Sequence, residues 1–221
     1  AFEIGKGIHA SMIIIPEMFN KTQITIDKIV RLIISSMIKR RIVGQKFGVV
    51  VVGEGIFHFL QDEDIASSGI TFDYDAHGHP ELSEVSKAHV ISKILKNRLK
   101  ELNLDIICRP VEVGYSLRCV DPSAFDLTYC TTLGIGVKKL YDEGHSGCMV
   151  AVNLEEEVIP VYLKDVEDEH GKIRTRLVNI DKEVVRQTLT ENIYYLTAQD
   201  RSLARKWLAD PEPFEYERIL G

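Results

Sequence analysis

The amino-acid sequence predicts an α/β fold in which a mostly parallel sheet is flanked by helices. Short apolar runs rich in β-branched residues alternate along the chain with longer segments of helical period, which is the order expected of a sheet covered by helices. One of these runs, 47–52 (FGVVVV), is apolar at every position, as in a parallel strand covered on both faces. With 221 residues, the chain is long enough to bury a core without disulfides or structural metals.

The elements of the first half follow in order. Residues 11–15 (SMIII), closed by Pro16, predict a buried strand. Residues 24–38 carry isoleucine and valine at helical spacing and predict an amphipathic helix. The polar stretch 62–80 predicts a long loop, of a length that usually serves a function. Ser83 predicts the N-cap of the next helix, which is followed by a short strand at 104–108.

The second half begins with a predicted helix at 122–143, with Asp121 as N-cap, Pro122 at the first helical position and Gly144 ending it. Apolar residues at helical spacing form its expected buried stripe: Phe125, Tyr129, Leu133, Val137 and Leu140. Two strands follow at 148–152 and 158–163. In the second strand, alternate residues are expected to point inward: Ile159, Val161 and Leu163. A charged turn at 167–172 and helices at 181–195 and 201–208 complete the prediction.

Composition excludes several classes of partner. The net charge of −6 offers no electrostatic basis for nucleic-acid binding. No apolar run approaches the roughly 20 residues of a membrane span, and the first residues do not form a signal peptide. The four cysteines show no CxxC pairing, so we expect free buried thiols in a reducing, cytoplasmic setting rather than a zinc site.

Two residues are the first candidates for a binding site. Glu54 directly follows the predicted strand 47–52 between Gly53 and Gly55, and ligands of such sheets bind beyond the carboxyl ends of the strands. Its carboxylate could accept hydrogen bonds from sugar hydroxyls or lie in a solvated turn. Arg118 stands just before a predicted helix start, where free amides and a guanidinium suit a phosphate. Its alternative role is an ion pair with an aspartate of that helix, Asp121 or Asp126.

Other side chains extend or compete with this site. Arg109 follows the predicted strand 104–108, and Tyr115 offers a hydroxyl close to Arg118. Two carboxylates and two imidazoles alternate in the predicted loop: Asp73, Asp75, His77 and His79. They suggest a metal-dependent hydrolase as a further alternative, although no second ligand cluster supports it. Neither a Gly-rich phosphate loop nor an HExxH motif occurs in the chain.

Residues 111–140 (VEVGYSLRCVDPSAFDLTYCTTLGIGVKKL) resemble the sugar-phosphate segment of phosphofructokinases, and the resemblance is closer to the long, pyrophosphate-type subfamily. That subfamily has the form GY-x-x-R-x-x-x-P-x-x-F-D. Further segments match in the same order: MIIIPE (12–17), GVVVVGEG (48–55), DAHGHPELSEV (75–85) and VIPVYLKDVEDEHGKIRTRLVNID (158–181). The resemblance covers nearly the whole chain and implies a Rossmann-like sheet. We expect a sugar-phosphate-binding domain at 1–153 and a C-terminal extension at 154–221.

The resemblance implies a role for each candidate residue. Glu54 corresponds to the glutamate that holds hydroxyls of fructose 6-phosphate. Tyr115 corresponds to the position, His or Tyr, that bonds near the 6-phosphate. Arg118 corresponds to the arginine that binds the sugar phosphate and stabilises charge during transfer, which makes it the candidate catalytic residue. Arg109 corresponds to a phosphate-binding arginine that reaches across a subunit interface in bacterial relatives, so a homo-oligomer or a partner subunit is implied.

We expect the family's Gly-Gly-Asp donor loop and Thr-x-Asp-x-Asp base segment to be absent from this chain, because both precede the first matched motif in the family. The resemblance therefore implies the C-terminal part of a longer 6-phosphofructokinase that is inactive alone. The Mg²⁺ expected for the full enzyme would have no ligands in this chain. Pyrophosphate is the favoured donor and ATP the alternative, and a non-catalytic regulatory subunit is a second reading of the same residues.

Overall fold

The computed structural model describes residues 1–19, 22–60, 86–113, 119–167, 177–191 and 195–221. These ranges divide into two units, one formed by Ala1–Glu112 with Val178–Gly221 and the other by Val113–Leu177. The predicted loop 62–80, the predicted cap Ser83 and most of the predicted charged turn 167–172 lie outside the described residues. No helix in the described ranges is long and apolar enough to cross a lipid bilayer.

The first unit opens with a β–α–β arrangement. Its elements are helix α1 (Phe2–Gly7), strand β1 (Met12–Ile14), a 3₁₀ turn (Pro16–Phe19), helix α2 (Ile26–Ile42) and strand β2 (Val50–Val52). Strands β1 and β2 pair in parallel, with Met12 opposite Val50 and Ile14 opposite Val52. Both predicted strands and the predicted helix are therefore confirmed. The parallel pair with its crossover helix is an α/β arrangement, as expected.

The apolar run before Glu54 is less buried than predicted. Residues of β2 are half-buried, and Phe47, which the prediction placed inside the strand, is 79% exposed. Strand β1, in contrast, is fully buried. In the described residues β2 pairs with β1 at one edge and its side chains are only half-buried, so the prediction of a strand covered on both faces is wrong for 47–52.

Helix α2 forms the centre of the core. Thr25 caps it by accepting a hydrogen bond from the Lys28 amide at 3.2 Å. The helix is buried on more than one face, since many of its residues are inaccessible to solvent: Ile29, Leu32, Ile33, Ile34, Ser35, Ser36 and Ile38. A helix this apolar needs neighbours on several sides, and the end of the chain supplies one of them.

Helix α3 (Lys87–Glu101) begins later than predicted. Its N-cap is Ser86, whose hydroxyl accepts a hydrogen bond from the His89 amide at 3.3 Å. Ser83 is therefore not the cap of this helix. The predicted strand at 104–108 is also wrong, because the segment after α3 has no strand partner among the residues that the structure describes and runs irregularly to residue 113. One of its carbonyls, that of Asp105, accepts a hydrogen bond from the Arg41 side chain instead, at 3.0 Å.

The second unit is a helix packed on a hairpin. Its elements are helix α4 (Ala124–Asp142), strands β3 (Cys148–Val152) and β4 (Val158–Tyr162), and helix α5 (Leu163–Val166). The strands pair antiparallel, with Val150 opposite Pro160. The predicted helix and both predicted strands are confirmed. The predicted domain boundary at 153/154 falls in the turn of this hairpin, and the division into 1–153 and 154–221 stays a prediction.

Two details of α4 differ from the sequence analysis. The N-cap is Ser123, not Asp121: Ser123 and Asp126 form a capping box, with the Ser123 amide donating to the Asp126 carboxylate at 2.8 Å. The predicted buried stripe is wrong except for Leu140, since within its own unit α4 buries only Gly136 and Leu140, and Phe125 is 73% exposed.

The inward face of β4 is the opposite of the one predicted. Gly136 of α4 faces Val150 and Val158, which puts the even-numbered residues of both strands toward the helix. Ile159 and Leu163 are exposed. Val161 is half-buried like Val158, so the predicted inward direction is wrong for Ile159 and Leu163. The four cysteines are free thiols, and the predicted burial is wrong for Cys119 and Cys130, which are exposed.

The last segment of the chain returns to the first unit. It contains helix α6 (Glu183–Arg186) with a π-helical continuation (Gln187–Glu191), a 3₁₀ turn (Ala198–Asp200), helix α7 (Arg201–Ala204), a second 3₁₀ turn (Glu212–Phe214) and helix α8 (Tyr216–Leu220). The predicted helices at 181–195 and 201–208 are thus present but shorter. Lys39 of α2 pairs with Asp200 at 2.7 Å, and this contact holds the segment against the core.

Candidate functional site

Glu54 lies at the carboxyl end of the parallel strand pair. The Gly53 amide donates a hydrogen bond to the Ile14 carbonyl at 2.8 Å, which continues the β1–β2 contact one residue beyond β2. Glu54 then begins a 3₁₀ turn, Glu54–Phe59. Its side chain is 74% exposed, so the carboxylate is available to a ligand at the edge where ligands of parallel sheets bind.

Lys87 holds this carboxylate from the neighbouring helix. The Lys87 ammonium donates a hydrogen bond to Oε1 of Glu54 and forms an ion pair with it. Lys87 is the first residue of α3, directly after the cap Ser86. The side chain of Lys87 is 25% exposed, and it is therefore more enclosed than its partner. The pair links positions 33 residues apart in the chain.

The segment that carries Arg109 reaches the same turn of α3. Glu112 Oε1 accepts a hydrogen bond from the Ala88 amide at 3.3 Å, and Ala88 is the neighbour of Lys87. Arg109 stands three residues before Glu112 and is exposed. Within the described ranges, no ion pair of Arg109 is present. The first turn of α3 thus contacts both Glu54 and the chain segment that contains Arg109.

Tyr115 and Arg118, the other two candidates, lie outside the described residues, and so does the loop with Asp73 and His77. The described ranges contain no group of three metal-ligating side chains. Asp126, one of the two alternative partners of Arg118, lies in the described residues. Hydrogen bonds from the Ser123 hydroxyl and amide lower the pKa of Asp126, so this carboxylate already serves the cap of α4.

The sequence outside the described residues carries one more pattern. Thr71, Asp73 and Asp75 repeat the Thr-x-Asp-x-Asp spacing. In the family the base segment precedes the MIIIPE-type motif, whereas here the pattern follows it. The order therefore does not match, and the pattern is not the family's base segment by position.

Glu54 and Arg109 offer different binding groups to a ligand. An ionised carboxylate such as that of Glu54, to which Lys87 donates at Oε1, can accept hydrogen bonds from hydroxyl groups at about four positions. An exposed guanidinium such as that of Arg109 can bind a phosphate by two parallel hydrogen bonds. Acceptors for hydroxyls and a donor for phosphate are the two kinds of group that a phosphorylated sugar requires.

Sequence reasoning missed Lys87 and Glu112. A signal for Lys87 exists, because a cation in the first turn of a helix is opposed by the helix dipole and calls for a nearby carboxylate. That signal can be used only when Ser86 is identified as the N-cap of α3, whereas the sequence pattern predicts Ser83 as the N-cap. Glu112 gives no comparable signal, since it lies in an irregular segment whose path depends on tertiary contacts.

A basic cleft of about 220 Å³ lies at the opposite, amino end of the strands, where Arg40, Arg41 and Lys46 contribute to its lining. The two arginines already bind backbone. Arg40 donates to the Phe47 carbonyl at 2.8 Å and Arg41 to the Asp105 carbonyl at 3.0 Å. These contacts tie chain segments together, and the cleft is separate from the edge that carries Glu54.

Comparison with known proteins identifies relatives. No family model matches the chain. A pyrophosphate–fructose 6-phosphate 1-phosphotransferase of Naegleria fowleri is 31% identical over 192 residues, which are 83% of this chain and 44% of the relative. One of Thermotoga maritima is 29% identical over 217 residues, 96% of this chain and 49% of the relative. The beta 2 subunit of the Arabidopsis thaliana enzyme is 21% identical over 219 residues, 75% of this chain and 38% of the relative.

The chain spans just under half the length of the first two relatives. The match nevertheless extends over most of the chain itself, including the strand end that carries Glu54. Relatives from a protist, a bacterium and a plant have the same name apart from the subunit designation. The chain belongs to the phosphofructokinase family, on its pyrophosphate-type branch.

Proposed function

We propose that this chain forms the fructose 6-phosphate-binding part of a pyrophosphate-dependent 6-phosphofructokinase. The observation that carries the proposal is the convergence of Glu54 and the Arg109 segment on the first turn of α3, in a chain whose relatives are named for this reaction. The enzyme would transfer a phosphoryl group to the 1-hydroxyl of fructose 6-phosphate in glycolysis. ATP as donor is not favoured, because the relatives' names specify pyrophosphate.

The residues would divide the substrate between them. Glu54 would accept hydrogen bonds from the sugar hydroxyls, and Arg109 would bind the 6-phosphate. For Tyr115 and Arg118 the proposal rests on the GY-x-x-R motif alone, with Tyr115 donating its hydroxyl to the phosphate. Arg118 would neutralise charge during transfer, as positively charged clamps do in phosphoryl transfer generally.

The donor side of the reaction would come from elsewhere in the enzyme. Mg²⁺ would bridge the donor phosphates and offset their charge, and we propose that its ligands lie outside this chain, because no Gly-Gly-Asp loop occurs in the sequence. The inactivity of the chain by itself stays a prediction. Plant relatives are named as subunits, which supports the proposal that the site is completed in a homo-oligomer or with a partner subunit.

A finer description of the fold belongs to the same proposal. The β1–α2–β2 unit has two parallel strands joined by a helix, the connection from which Rossmann-like sheets are built. We propose that β1 and β2 are neighbouring strands of such a sheet in the complete enzyme. Glu54 would then lie at the edge where these sheets bind phosphorylated ligands.

Calorimetric titration of the chain with fructose 6-phosphate, with fructose and inorganic phosphate as controls, tests the proposal. Arg118→Ala should weaken sugar-phosphate binding by about 1.5–3 kcal/mol, the usual contribution of a charge-assisted hydrogen bond. Glu54→Gln should weaken binding of fructose 6-phosphate and leave phosphate binding unchanged. Equal affinity of the chain for phosphate and for the sugar phosphate would refute a site that recognises the sugar.

A further inference from the structure

Lys87 occupies a position where a cation is disfavoured. The free amides of the first helical turn carry partial positive charge, which repels an ammonium group. The first turn of α3 contains no acidic residue to offset it. The ion pair with Glu54 supplies that compensation from a distant part of the chain, so the charge at this turn is offset by a residue of the candidate site.

The two partners differ in how firmly they are held. Lys87 is 25% exposed and Glu54 is 74% exposed, and Lys87 is part of a helix of 15 residues, whereas Glu54 starts a short 3₁₀ turn. A long exposed carboxylate by itself samples many rotamers. The more enclosed lysine is therefore the more firmly held of the two partners, and its bond limits the directions that the glutamate carboxylate can take.

We propose that Lys87 is a positioning residue for the sugar hydroxyls and acts through Glu54. The inference rests on the proposed function. Lys87 donates to Oε1 of the carboxylate, and this bond restricts the orientations that the carboxylate can adopt. A carboxylate oriented in advance loses less conformational freedom when a ligand binds, so the ion pair raises affinity for the hydroxyl-bearing part of the substrate.

The same turn of α3 separates the two ends of the ligand. The Ala88 amide binds Glu112 at 3.3 Å, which fixes the segment carrying Arg109 on that side, while Lys87 engages Glu54. With Arg109 serving the phosphate, Lys87 has no part in phosphate binding. This distinguishes it from a lysine that binds the phosphate directly, and the two roles predict different ligand dependence.

Binding of fructose 6-phosphate and of inorganic phosphate should be measured for Lys87→Met, Lys87→Arg, Glu54→Gln and the double variant Lys87→Met/Glu54→Gln. Lys87→Met should weaken fructose 6-phosphate binding about five- to tenfold and leave phosphate binding within about twofold. The loss caused by Glu54→Gln should shrink to about threefold or less in the Lys87→Met background, because the lysine acts through the glutamate. Lys87→Arg should retain most of the affinity, since it keeps the charge and a donor.

Lys100→Met is the matched control. Lys100 lies in the last turn of the same helix, about 20 Å away along the axis at 1.5 Å per residue, and its loss should change neither affinity. Circular dichroism of each variant checks that the helix is retained.

Four results would overturn the proposal. Equal losses of phosphate and sugar-phosphate affinity in Lys87→Met would make the lysine a phosphate ligand. Additive effects of the two substitutions, or an unchanged affinity in Lys87→Met while Glu54→Gln weakens binding, would leave the proposed function standing and remove the role of Lys87. Failure of the unsubstituted chain to prefer fructose 6-phosphate over phosphate would remove the proposed function itself, and this inference with it.

Discussion

Gly136→Ala tests how α4 packs on its hairpin. A Cβ atom at Gly136 would lie 2.7 Å from Cγ1 of Val150 and 2.8 Å from Cγ1 of Val158. Both separations are shorter than the contacts that real Cβ atoms make, so the hairpin or the helix must move. Gly134 lies in the same helix and has no atom within 4 Å of the corresponding position, which makes Gly134→Ala the matched control.

The magnitude follows from two opposing effects. Alanine is more favourable than glycine inside a helix by about 1 kcal/mol, and this gain is common to both variants. Overpacking of a close contact costs about 1–3 kcal/mol, and only Gly136→Ala incurs that cost. Gly134→Ala should therefore raise the free energy of unfolding by about 1 kcal/mol, while Gly136→Ala should fall below it by about 1–3 kcal/mol.

The assay must report on the second unit. The single tryptophan, Trp207, lies in the first unit, so its fluorescence would follow the wrong part of the chain. Hydrogen exchange of the amides in β3 and β4 measures the opening free energy of the hairpin directly. Equal protection in the two variants would refute the packing of Gly136 against the valines, whatever the absolute values are.

Two further predictions concern the first unit. Ser35 Oγ accepts a hydrogen bond from the buried Leu196 amide at 2.9 Å, so Ser35→Ala should lower the free energy of unfolding by about 1–3 kcal/mol. The buried Ser36 hydroxyl has no partner in the described part of the chain. Ser36→Ala should therefore raise the free energy of unfolding by about 1 kcal/mol. Urea unfolding followed by tryptophan fluorescence measures both free energies, and an equal change in the two variants would contradict the different roles of the two hydroxyls. The hydrogen bond from Arg201 lowers the pKa of Glu215. The Arg201–Glu215 ion pair therefore stabilises the folded state fully above the ordinary glutamate pKa of 4.5, and this stabilisation is lost as the pH falls through the lower folded-state pKa. Glu215→Gln should flatten this acid-side loss in a thermal unfolding series, and an unchanged pH dependence would count against the ion pair.

Periodicity in the sequence predicted the long helices and the paired strands, and it failed where pairing or packing decides the outcome. Residues 11–15 and 104–108 are similar apolar runs, yet only the first becomes a strand. The difference is that β2 is available to pair with the first run, while the second has no strand partner within the described ranges. A short apolar run states that a segment prefers burial, and it does not state which segment lies beside it.

The face that α4 presents to its hairpin was predicted wrongly for a related reason. Counting apolar side chains selected a stripe through Phe125 and Val137, but the helix approaches the hairpin at Gly136 and buries only Leu140 of that stripe. A glycine adds nothing to an apolar pattern, although its lack of a side chain is what permits close approach of two elements. Packing of this kind is set by the shape of the partner surface and cannot be read from one helix alone.

The candidate site, too, could be predicted from the sequence only in part. Glu54 was predicted by a rule about strand ends, and the structure bears out its place after β2; its ion pair with Lys87 could not be predicted, because it depends on where α3 begins. The position of Glu54 after β2 and its ion pair with Lys87 depend on each other. Strands β1 and β2 share a short ladder, Met12–Ile14 with Val50–Val52, continued by the Gly53 amide. A slip of one residue would turn the side chains of β2 to the opposite face and would displace Glu54 from Lys87. The ion pair therefore helps to fix the strand register, and the register in turn presents the carboxylate at the carboxyl end of the sheet.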